Sequence, residues 1–230
     1  MPVVATIASH SALEIFMGAK KHGFETLGIC AKNRDKVYSK YYRTRTRKTS
    51  NQTLGIVDDV IMLDSFKGLA DKKVLKKLGE KNLAFVPHKS LTAYLGYEFV
   101  EKHFNVPIYG NRKLIKIEDR TYEKNQDWVF GKAGIRVPKK FVDYSKIDRL
   151  CIVKTADESR SFYERAFFFA DSPKDFESES RKLIEKGKVS KAGLEKAVIE
   201  EVVVGAQVNY NYFYSPLLDE IELMGTDMRR

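Results

Sequence analysis

Strand-like apolar runs and stretches with helical apolar spacing alternate from the start of the chain to residue 110. The strand-like runs are 3–7, 26–30, 57–63, 83–87 and 107–109, and the helical stretches are 11–21, 70–78 and 91–103. Strands that alternate with helices in this way are typical of a parallel sheet covered by helices on its faces. The sequence therefore predicts an α/β fold with a doubly wound parallel sheet in this region.

The pattern changes after residue 112. A helical stretch ends at Gly134, and strand-like runs follow at 141–144, 150–154, 165–170, 198–214 and 221–224. A helical pattern over 173–186 has Ser172 directly before it as a predicted N-cap. Strands grouped around few helices favour an α+β region with antiparallel strands. Two domains are therefore expected, at 1–112 and 113–230.

The charge balance is strongly basic, with 41 Lys and Arg against 31 Asp and Glu and a formal net charge of +10. Anionic partners are expected, and nucleic acid, a membrane surface and phosphorylated small molecules all remain open. Cys30 and Cys151 both lie in apolar runs, so a disulfide framework or a zinc site is not favoured. No signal peptide precedes the first strand, and no apolar run approaches the roughly 20 residues of a membrane helix. A cytoplasmic protein is therefore predicted.

Three polar clusters follow predicted strands: SHS at 9–11, PHKS at 87–90 and GNR at 110–112. In open parallel sheets the ligand binds beyond the carboxyl ends of the strands, so the three clusters are expected to converge. Ser11, with Glu14 three residues later, has the form of a capping box at a helix N-terminus, where an anion is favoured. His10 would stand beside that anion. The alternative is that Ser11 only caps the helix and His10 is a surface side chain.

Two further features stay open on the residues alone. The segment 43–48 reads RTRTRK, which suits a nucleic-acid surface, a solvated loop or edge strand protected by charge, or a loop that folds over a phosphorylated ligand. Lys154 ends an apolar strand, and Glu200 and Glu201 lie in another. A cation and carboxylates at strand edges suggest a nucleotide cleft. The plainer interpretation is a strand-terminal lysine and an exposed acidic pair.

Seven motifs run in order over nearly the whole chain: IASHSALEIFMGAKKHGFETLGIC, VPHKSLTAYLG, YGNRKLIKIEDR, AGIRVPKK, IVK, IEEVVVG and NYFYSPLLDEIELMGTDMR. Together they resemble the ATP-grasp ligases, specifically the archaeal-type formate-dependent synthetases of 5-formaminoimidazole-4-carboxamide ribonucleotide (FAICAR), the PurP family. The resemblance implies a Rossmann-like (pre-ATP-grasp) parallel sheet followed by an α+β ATP-grasp domain. It also implies a purine-biosynthesis ligase that formylates the aminoimidazole carboxamide ribonucleotide AICAR with formate and ATP, through formyl phosphate, giving FAICAR, ADP and phosphate.

The resemblance also implies site residues. His10 and Ser90 match family positions that contact AICAR, and with the polar clusters they give a predicted AICAR site of His10, Ser11, Ser90, Asn111 and Arg112. Lys154 matches the lysine at the ATP phosphates, and 199–202 match the adenine hinge. The predicted ATP site is Lys124, Lys154, Arg160, Ile199, Glu200, Glu201 and Val202. Mg²⁺ is expected with ATP, although neither its ligands nor a catalytic residue can be assigned. Small molecules rather than nucleic acid or a membrane are the expected partners, and a homo-oligomer is possible.

The chain departs from the family pattern in three places. The segment 155–169 has no glycine where a glycine-rich loop is expected, so Ser159, Arg160, Ser161 and Arg165 would have to replace backbone amides at the phosphates. Lys89 stands where the family has glycine. The sequence stops at Arg230, before the remainder of the ATP-grasp domain, so a truncated chain is expected.

The departures leave two alternatives to the synthetase. One is a diverged ATP-grasp paralogue that binds ATP or a purine nucleotide but uses another acid or amine, or has an accessory role. The other is a nucleic-acid-binding protein that uses residues 43–48.

Overall fold

The computed structural model describes residues 2–118, 122–155 and 167–228. The chain divides into two compact units, Met1–Lys132 and Ala133–Arg230. Residues 113–132, which the sequence assigned to the second domain, fall in the first unit by this division. The domain boundary at residue 112 stays a prediction.

A parallel sheet forms the centre of the first unit. The elements along the chain are β1 (Val3–Ile7), α1 (Ala12–Lys21), β2 (Glu25–Ala31), a π-helical turn (Val37–Tyr41), β3 (Arg45–Thr46), β4 (Thr53–Leu54), β5 (Asp59–Leu63), a 3-10 turn (Phe66–Ala70), α2 (Lys72–Gly79), β6 (Leu83–Phe85), α3 (Lys89–Leu95), α4 (Tyr97–Lys102), a second 3-10 stretch (Arg112–Glu118) and α5 (Gln126–Lys132). The sheet order is β5-β2-β1-β6, and each adjacent pair is parallel. The predicted α/β fold is confirmed.

Both faces of this sheet are covered, as the doubly wound pattern requires. On one face Ile7 and Ile29 pack in a core with Leu78, Leu91 and Phe104 from the helices and loops that follow β5. On the other face α1 packs against Cys30 and Val57 through Ala12 and Phe16. The sheet is therefore fixed from both sides, and the loops at its carboxyl edge start from rigid positions.

The helix predicted over 91–103 is two helices. Gly96, with φ 78° and ψ 155°, separates α3 from α4. This backbone conformation is open to glycine and strained for other residues, so the apolar spacing continues across a break in the hydrogen-bonding pattern. The prediction of one continuous helix was wrong.

The second unit is an antiparallel sheet backed by a helix. Its elements are β7 (Lys140–Phe141), a 3-10 turn (Tyr144–Lys146), β8 (Cys151–Lys154), β9 (Phe167–Ala170), α6 (Pro173–Glu185), α7 (Lys191–Glu195), β10 (Val198–Glu201), β11 (Asn209–Ser215) and β12 (Glu220–Asp227). The order is β7-β10-β8-β9. The helix α6 begins as predicted, since the Asp175 amide donates to the Ser172 hydroxyl at 3.3 Å. Phe176 packs with Cys151, Val153 and Ile199 in the core.

The β run predicted over 198–214 was also wrong, because it contains two strands in different sheets. The pairing of β10 with β8 ends at Glu201 opposite Cys151, so the chain has no partner strand to follow beyond that point. The strand β11 then begins at Asn209 and forms a separate two-stranded sheet with β12. Among the residues that the structure describes, no helix is long and apolar enough to cross a membrane.

Candidate functional site

Two loops that follow neighbouring parallel strands meet at the carboxyl edge of the first sheet. Ser9 and His10 follow β1, and Ser90 opens α3 soon after β6. The hydroxyl oxygens of Ser9 and Ser90 are 2.7 Å apart, and the Ser90 hydroxyl oxygen is 2.9 Å from Nδ1 of His10. Both serines are buried, with exposures of 7% and 1%. We call Ser9, His10 and Ser90 the hydroxyl–imidazole cluster.

The backbone of His10 has a left-handed conformation, with φ 47°. This conformation costs a non-glycine residue about 1–2 kcal/mol. The tight turn is closed by the Ala12 amide, which donates to the Ser9 carbonyl at 3.0 Å. Backbone strain of this kind is found most often at binding and catalytic sites. Here it places Nδ1 of His10 against the Ser90 hydroxyl.

A second histidine, His88, is hydrogen-bonded to the backbone of Ser90 in the cluster. Its Nε2 lies 2.9 Å from the Ile7 carbonyl oxygen, and its Nδ1 accepts the Ser90 amide at 3.3 Å. Burial lowers the pKa of His88; donation to Ile7 works in the opposite direction, and nearby His10 lowers the pKa further. His88 belongs to the PHKS cluster of the sequence, and no role was predicted for it. The available sequence signal for this role was Pro87. It has no backbone N–H to continue the strand pairing, so the following side chain has to bond to the neighbouring strand instead.

Ser11 does not form the predicted capping box. It precedes α1 with φ −80° and ψ 17°, and its side chain makes no capping hydrogen bond. A side-chain cap needs an extended backbone at this position, and Ser11 is already nearly helical. The exposed hydroxyl is therefore not used by α1. Whether Ser11 contacts a ligand remains a prediction.

The third predicted cluster has different partners. The side chain of Asn111 accepts the Lys113 amide at 3.0 Å. The guanidinium of Arg112 donates to the Val100 carbonyl at 3.2 Å and to the Val106 carbonyl at 2.7 Å. These bonds tie the loop after residue 110 to the end of α4. Arg112 thus has a structural role in this arrangement, in addition to the ligand contact predicted for it.

Lys89, the departure from the family pattern in PHKS, is held by two partners. Its Nζ donates to the Tyr97 hydroxyl and to Glu118, both at 2.9 Å. Burial opposes the charge, but the hydrogen bonds to Tyr97 and Glu118 outweigh it and raise the pKa of Lys89. Lys89, which precedes Ser90 in the sequence, is therefore a charged group held by an acidic residue of the second 3-10 stretch.

The basic segment 43–48 forms part of a small β3–β4 hairpin. Arg43 lies 3.3 Å from Asp59, and Arg45 donates to the Tyr41 carbonyl at 3.3 Å. Both contacts are largely exposed. Arg43 and Arg45 therefore have partners within the protein, which favours the charge-protected hairpin over a free polyanion surface.

In the second unit one face of the four-stranded sheet carries both charge and aromatic rings. Lys154 of β8 forms an ion pair with Glu200 of β10, with side-chain exposures of 26% and 18%. Phe167 and Phe169 of β9 are 57% and 49% exposed, and their ring centroids are 5.9 Å apart. They pair in register with Lys154 and Ile152. Directly opposed residues point to the same side, so this face lies opposite the α6 core.

The predicted adenine hinge is held in the same sheet. Ile199 is in the core, so only its backbone could face a ligand. The Glu201 amide donates to the Lys139 carbonyl at 2.8 Å, and the Val202 amide donates to the Leu150 carbonyl at 2.9 Å. The Glu201 carboxylate accepts the Lys139 amide at 3.1 Å. The amides of Glu201 and Val202 are thus already hydrogen-bonded within the protein.

Two predicted ATP ligands lie elsewhere. Lys124, in the first unit, is exposed, with Nζ 5.7 Å from the centroid of the Trp128 ring. Arg160 lies outside the described residues, as do the other candidates of the glycine-free segment 155–169, which are Ser159, Ser161 and Arg165. Within 2–118, 122–155 and 167–228, no group of three His, Cys, Asp or Glu side chains could hold a metal ion.

Comparison with known proteins gives the family. Residues 4–141 match a family described as "Protein of unknown function (DUF1246)", and residues 175–230 match "Domain of unknown function (DUF1297)". A curated relative from Methanopyrus kandleri, a 5-formaminoimidazole-4-carboxamide-1-(beta)-D-ribofuranosyl 5'-monophosphate synthetase, is 35% identical over 98% of this chain. The crystal structure of an IMP biosynthesis protein PurP from Thermococcus kodakaraensis covers 99% of this chain with a TM-score of 0.62 and 27% identity. The chain belongs to the PurP family.

The PurP-family relatives are longer than this chain. It spans 58% of the Methanopyrus kandleri protein and 59% of the Thermococcus kodakaraensis chain. A more distant structure, the N5-carboxyaminoimidazole synthetase from Staphylococcus aureus complexed with ADP, covers 100% of this chain and is itself covered to 55%, with a TM-score of 0.61 and 17% identity. That likeness shows that the PurP-family chain shares its fold with the ATP-grasp proteins.

Proposed function

We propose that this PurP-family chain provides binding sites of an ADP-forming ligase that formylates AICAR with formate and ATP. The observation that carries the proposal is the hydroxyl–imidazole cluster, built at the carboxyl edge of a parallel sheet in a chain whose relatives are named as FAICAR synthetases. A parallel sheet of this type binds its ligand at that edge.

The proposed reaction has two steps. Formate attacks the γ-phosphorus of ATP, the bond from that phosphorus to the bridging oxygen breaks, and formyl phosphate and ADP form. The AICAR amine then attacks the formyl carbon, phosphate leaves with the C–O bonding electrons, and the amine nitrogen loses a proton. Such chemistry depends mainly on holding the reactants in line and balancing phosphate charge. The chain would contribute the hydroxyl–imidazole cluster for holding AICAR and Lys154 for balancing phosphate charge.

In the first unit the cluster would bind AICAR. The two hydrogen bonds inside the cluster use two of the three hydrogens of Ser9, Ser90 and neutral His10. The third hydrogen, on a hydroxyl or on a ring nitrogen according to the tautomer, can be donated to a phosphate or ribose oxygen. Ser11 follows His10 in the sequence, and Asn111 belongs to the third polar cluster predicted at this sheet edge. Both remain proposed contacts of AICAR. Arg112 is proposed to hold the surrounding loop, because two of its donors are bound to backbone carbonyls.

In the second unit the exposed sheet face would bind ATP. Lys154 would exchange Glu200 for phosphate oxygens, which are the stronger anionic partner. Phe167 and Phe169 offer flat apolar surface for a purine, since binding sites for cofactors are lined mainly by apolar and aromatic side chains. ATP-grasp neighbours crystallised with ADP support nucleotide binding. Mg²⁺ is proposed to accompany ATP, although no group of three His, Cys, Asp or Glu side chains among the described residues would hold it.

The test is a product assay on the full protein with MgATP, formate and AICAR, followed by mass spectrometry of the formylated ribonucleotide and ADP. His10→Asn keeps a residue that tolerates the left-handed backbone but removes the imidazole. Lys154→Met removes the charge at similar length. Lys182→Met is the matched control, because it also removes a lysine from an ion pair, with Glu179 on α6.

We expect FAICAR and ADP from wild type and the control, and loss of about 100-fold or more in the two site variants, as for removal of a transition-state contact. Wild-type product with full activity in His10→Asn would place AICAR elsewhere. No product from wild type would reject the synthetase.

A diverged paralogue is the second candidate, and Lys89 is the observation that favours it. Lys89 precedes Ser90 in the sequence and is tied to Glu118, and its charge is proposed to change which substrate the cluster accepts. Thermal stabilisation by ATP and a purine ribonucleotide without FAICAR formation would support this candidate, since a ligand that binds only the folded state raises the melting temperature. The search would then move to other acids and amines.

A further inference from the structure

The connection between β1 and β6 continues beyond the end of the backbone ladder. The Val86 amide donates to the Ala5 carbonyl at 2.8 Å, and the Thr6 hydroxyl donates to the Val86 carbonyl at 2.8 Å. The next residue is Pro87, which has no amide hydrogen. The His88 ring takes over, with Nε2 2.9 Å from the Ile7 carbonyl oxygen.

The tautomer of His88 follows from its two partners. A carbonyl oxygen can only accept, so Nε2 must carry the hydrogen. The Ser90 amide can only donate, so Nδ1 must be the bare nitrogen that accepts it at 3.3 Å. Both ring nitrogens of neutral His88 are thus used, one toward each strand end. Protonation of Nδ1 would break the bond from the Ser90 amide, and a flip of the ring would place carbon atoms at both nitrogen positions and break both bonds.

Ser90 joins this link to the hydroxyl–imidazole cluster. Its amide is held by His88, while its hydroxyl lies 2.7 Å from Ser9 and 2.9 Å from Nδ1 of His10. A shift of the Ser90 backbone would therefore move the hydroxyl away from both partners. The two rings contact different groups of Ser90: His88 accepts its amide, and His10 lies against its hydroxyl. The centroids of the His88 and His10 rings are 5.9 Å apart.

We propose that His88 is a positioning residue that fixes the ends of β1 and β6 in register, so that Ser9, His10 and Ser90 keep the arrangement that binds one anionic nucleotide. The inference rests on the function proposed above and deepens it. His88 acts through Ser90 and the Ile7 carbonyl rather than by touching the substrate.

Two single substitutions separate the links of His88. Asparagine keeps an acceptor for the Ser90 amide and is a favourable N-cap, but its shorter side chain cannot reach the Ile7 carbonyl. His88 is the N-cap of α3, since its side chain accepts the Ser90 amide. Glutamine carries an amide donor that reaches about as far as Nε2, but it loses this N-cap bond. Alanine removes both links. Binding of AICAR and of ATP is measured for all three in the full protein, with the Michaelis constant and kcat for each substrate.

Loss of both hydrogen bonds should weaken AICAR binding about tenfold or more in His88→Ala. ATP binding, which is assigned to the second unit, should stay within about twofold by the same scale. His88→Asn and His88→Gln should each recover part of the AICAR affinity. The Michaelis constant for AICAR should rise more than kcat falls. Unchanged AICAR affinity in His88→Ala, or an equal loss of ATP and AICAR affinity, would overturn the proposal.

A readout without AICAR separates this inference from the proposed function. In ligand-free protein, ¹⁵N NMR should show His88 as the Nε2–H tautomer, and His88→Ala should shift both the Ser90 amide and the His10 ring signals. A His10 ring signal that does not move would reject the positioning role. If wild type binds no AICAR but these shifts appear, the proposed function fails while the positioning of the cluster by His88 stands.

Discussion

Lys89 and Glu118 form an ion pair at 2.9 Å that joins the start of α3 to the second 3-10 stretch. The pair is partly exposed, with side-chain exposures of 46% and 64%. Lys89 precedes Ser90 in the sequence, and we expect Glu118 to compete for its charge with an anion bound at the hydroxyl–imidazole cluster. A surface pair of this kind contributes only about 0–1 kcal/mol, which a bound phosphate can exceed.

Replacing Glu118 should therefore change ligand affinity more than stability. In Glu118→Gln the lysine loses its charged partner, and we expect AICAR to bind about two- to fivefold more tightly at low salt, in line with the strength of an exposed pair. Calorimetric titration measures the affinity. Glu98→Gln, which removes the partner of Lys102 within α4, is the matched control. Equal affinities in wild type and Glu118→Gln would mean that Lys89 does not face the ligand.

Asp58 should be a principal stabilising residue of the first unit. Both of its carboxylate oxygens lie 3.0 Å from Lys20 Nζ, one of them accepts the Thr26 amide at 2.9 Å, and the side chain is 23% exposed. We expect Asp58→Asn to lower the free energy of unfolding by about 2 kcal/mol, measured by urea denaturation. Asp59→Asn, at the more exposed neighbouring position, should cost less than about 1 kcal/mol. Equal losses would show that the Lys20–Asp58 network is not special.

Two glycines should respond in opposite ways to alanine. A Cβ on Gly55, which has φ 90°, would lie 2.4 Å from the Arg43 carbonyl oxygen, so Gly55→Ala should destabilise the protein by about 1–3 kcal/mol. Gly18, within α1, has no atom within 4 Å of the same position. Gly18→Ala should therefore stabilise by about 0.5–1 kcal/mol. Thermal melting distinguishes the two, and a stabilised Gly55→Ala would contradict the close approach of Gly55 to the Arg43 carbonyl.

Stability should fall in mild acid because of His88. Its pKa is lowered in the folded protein, so between that value and about 6.5 the unfolded chain binds more protons than the folded one. The free energy of unfolding should therefore decrease as the pH falls below about 6.5, with a contribution from this group of at most about 1.4 kcal/mol per pH unit. His88→Asn should flatten the profile in that window. A flat wild-type profile would refute the expectation.

The sequence was sufficient for the parallel sheet and for the sheet edge where two of the three polar clusters meet. Both depend on local periodicity and on the general geometry of parallel strands, which a single chain displays directly. It was insufficient for the breaks. The apolar spacing runs through Gly96 although the helix does not, and the strand pattern continues beyond Glu201 although its partner strand ends there.

The partners of charged side chains were also beyond the sequence. Arg112 binds the carbonyls of Val100 and Val106, and Lys89 binds Glu118, 29 residues away. Such contacts depend on where separate elements come to rest in space, and neither spacing nor composition encodes that directly. His88 could be grouped with its neighbours from the sequence, but its link to Ile7, 81 residues away, required the structure.

The positions of the two cysteines make the protein suited to reporting its own unfolding. Cys30 lies in the core of the first unit and Cys151 in that of the second, and both are fully buried. Burial raises the pKa of Cys30 to about 12, with Asp35 adding to the effect and Arg43 opposing it. Thiolate is the reactive form, so alkylation must wait for each core to open. Mass-resolved labelling of the two thiols would time the opening of each unit separately in one native sample.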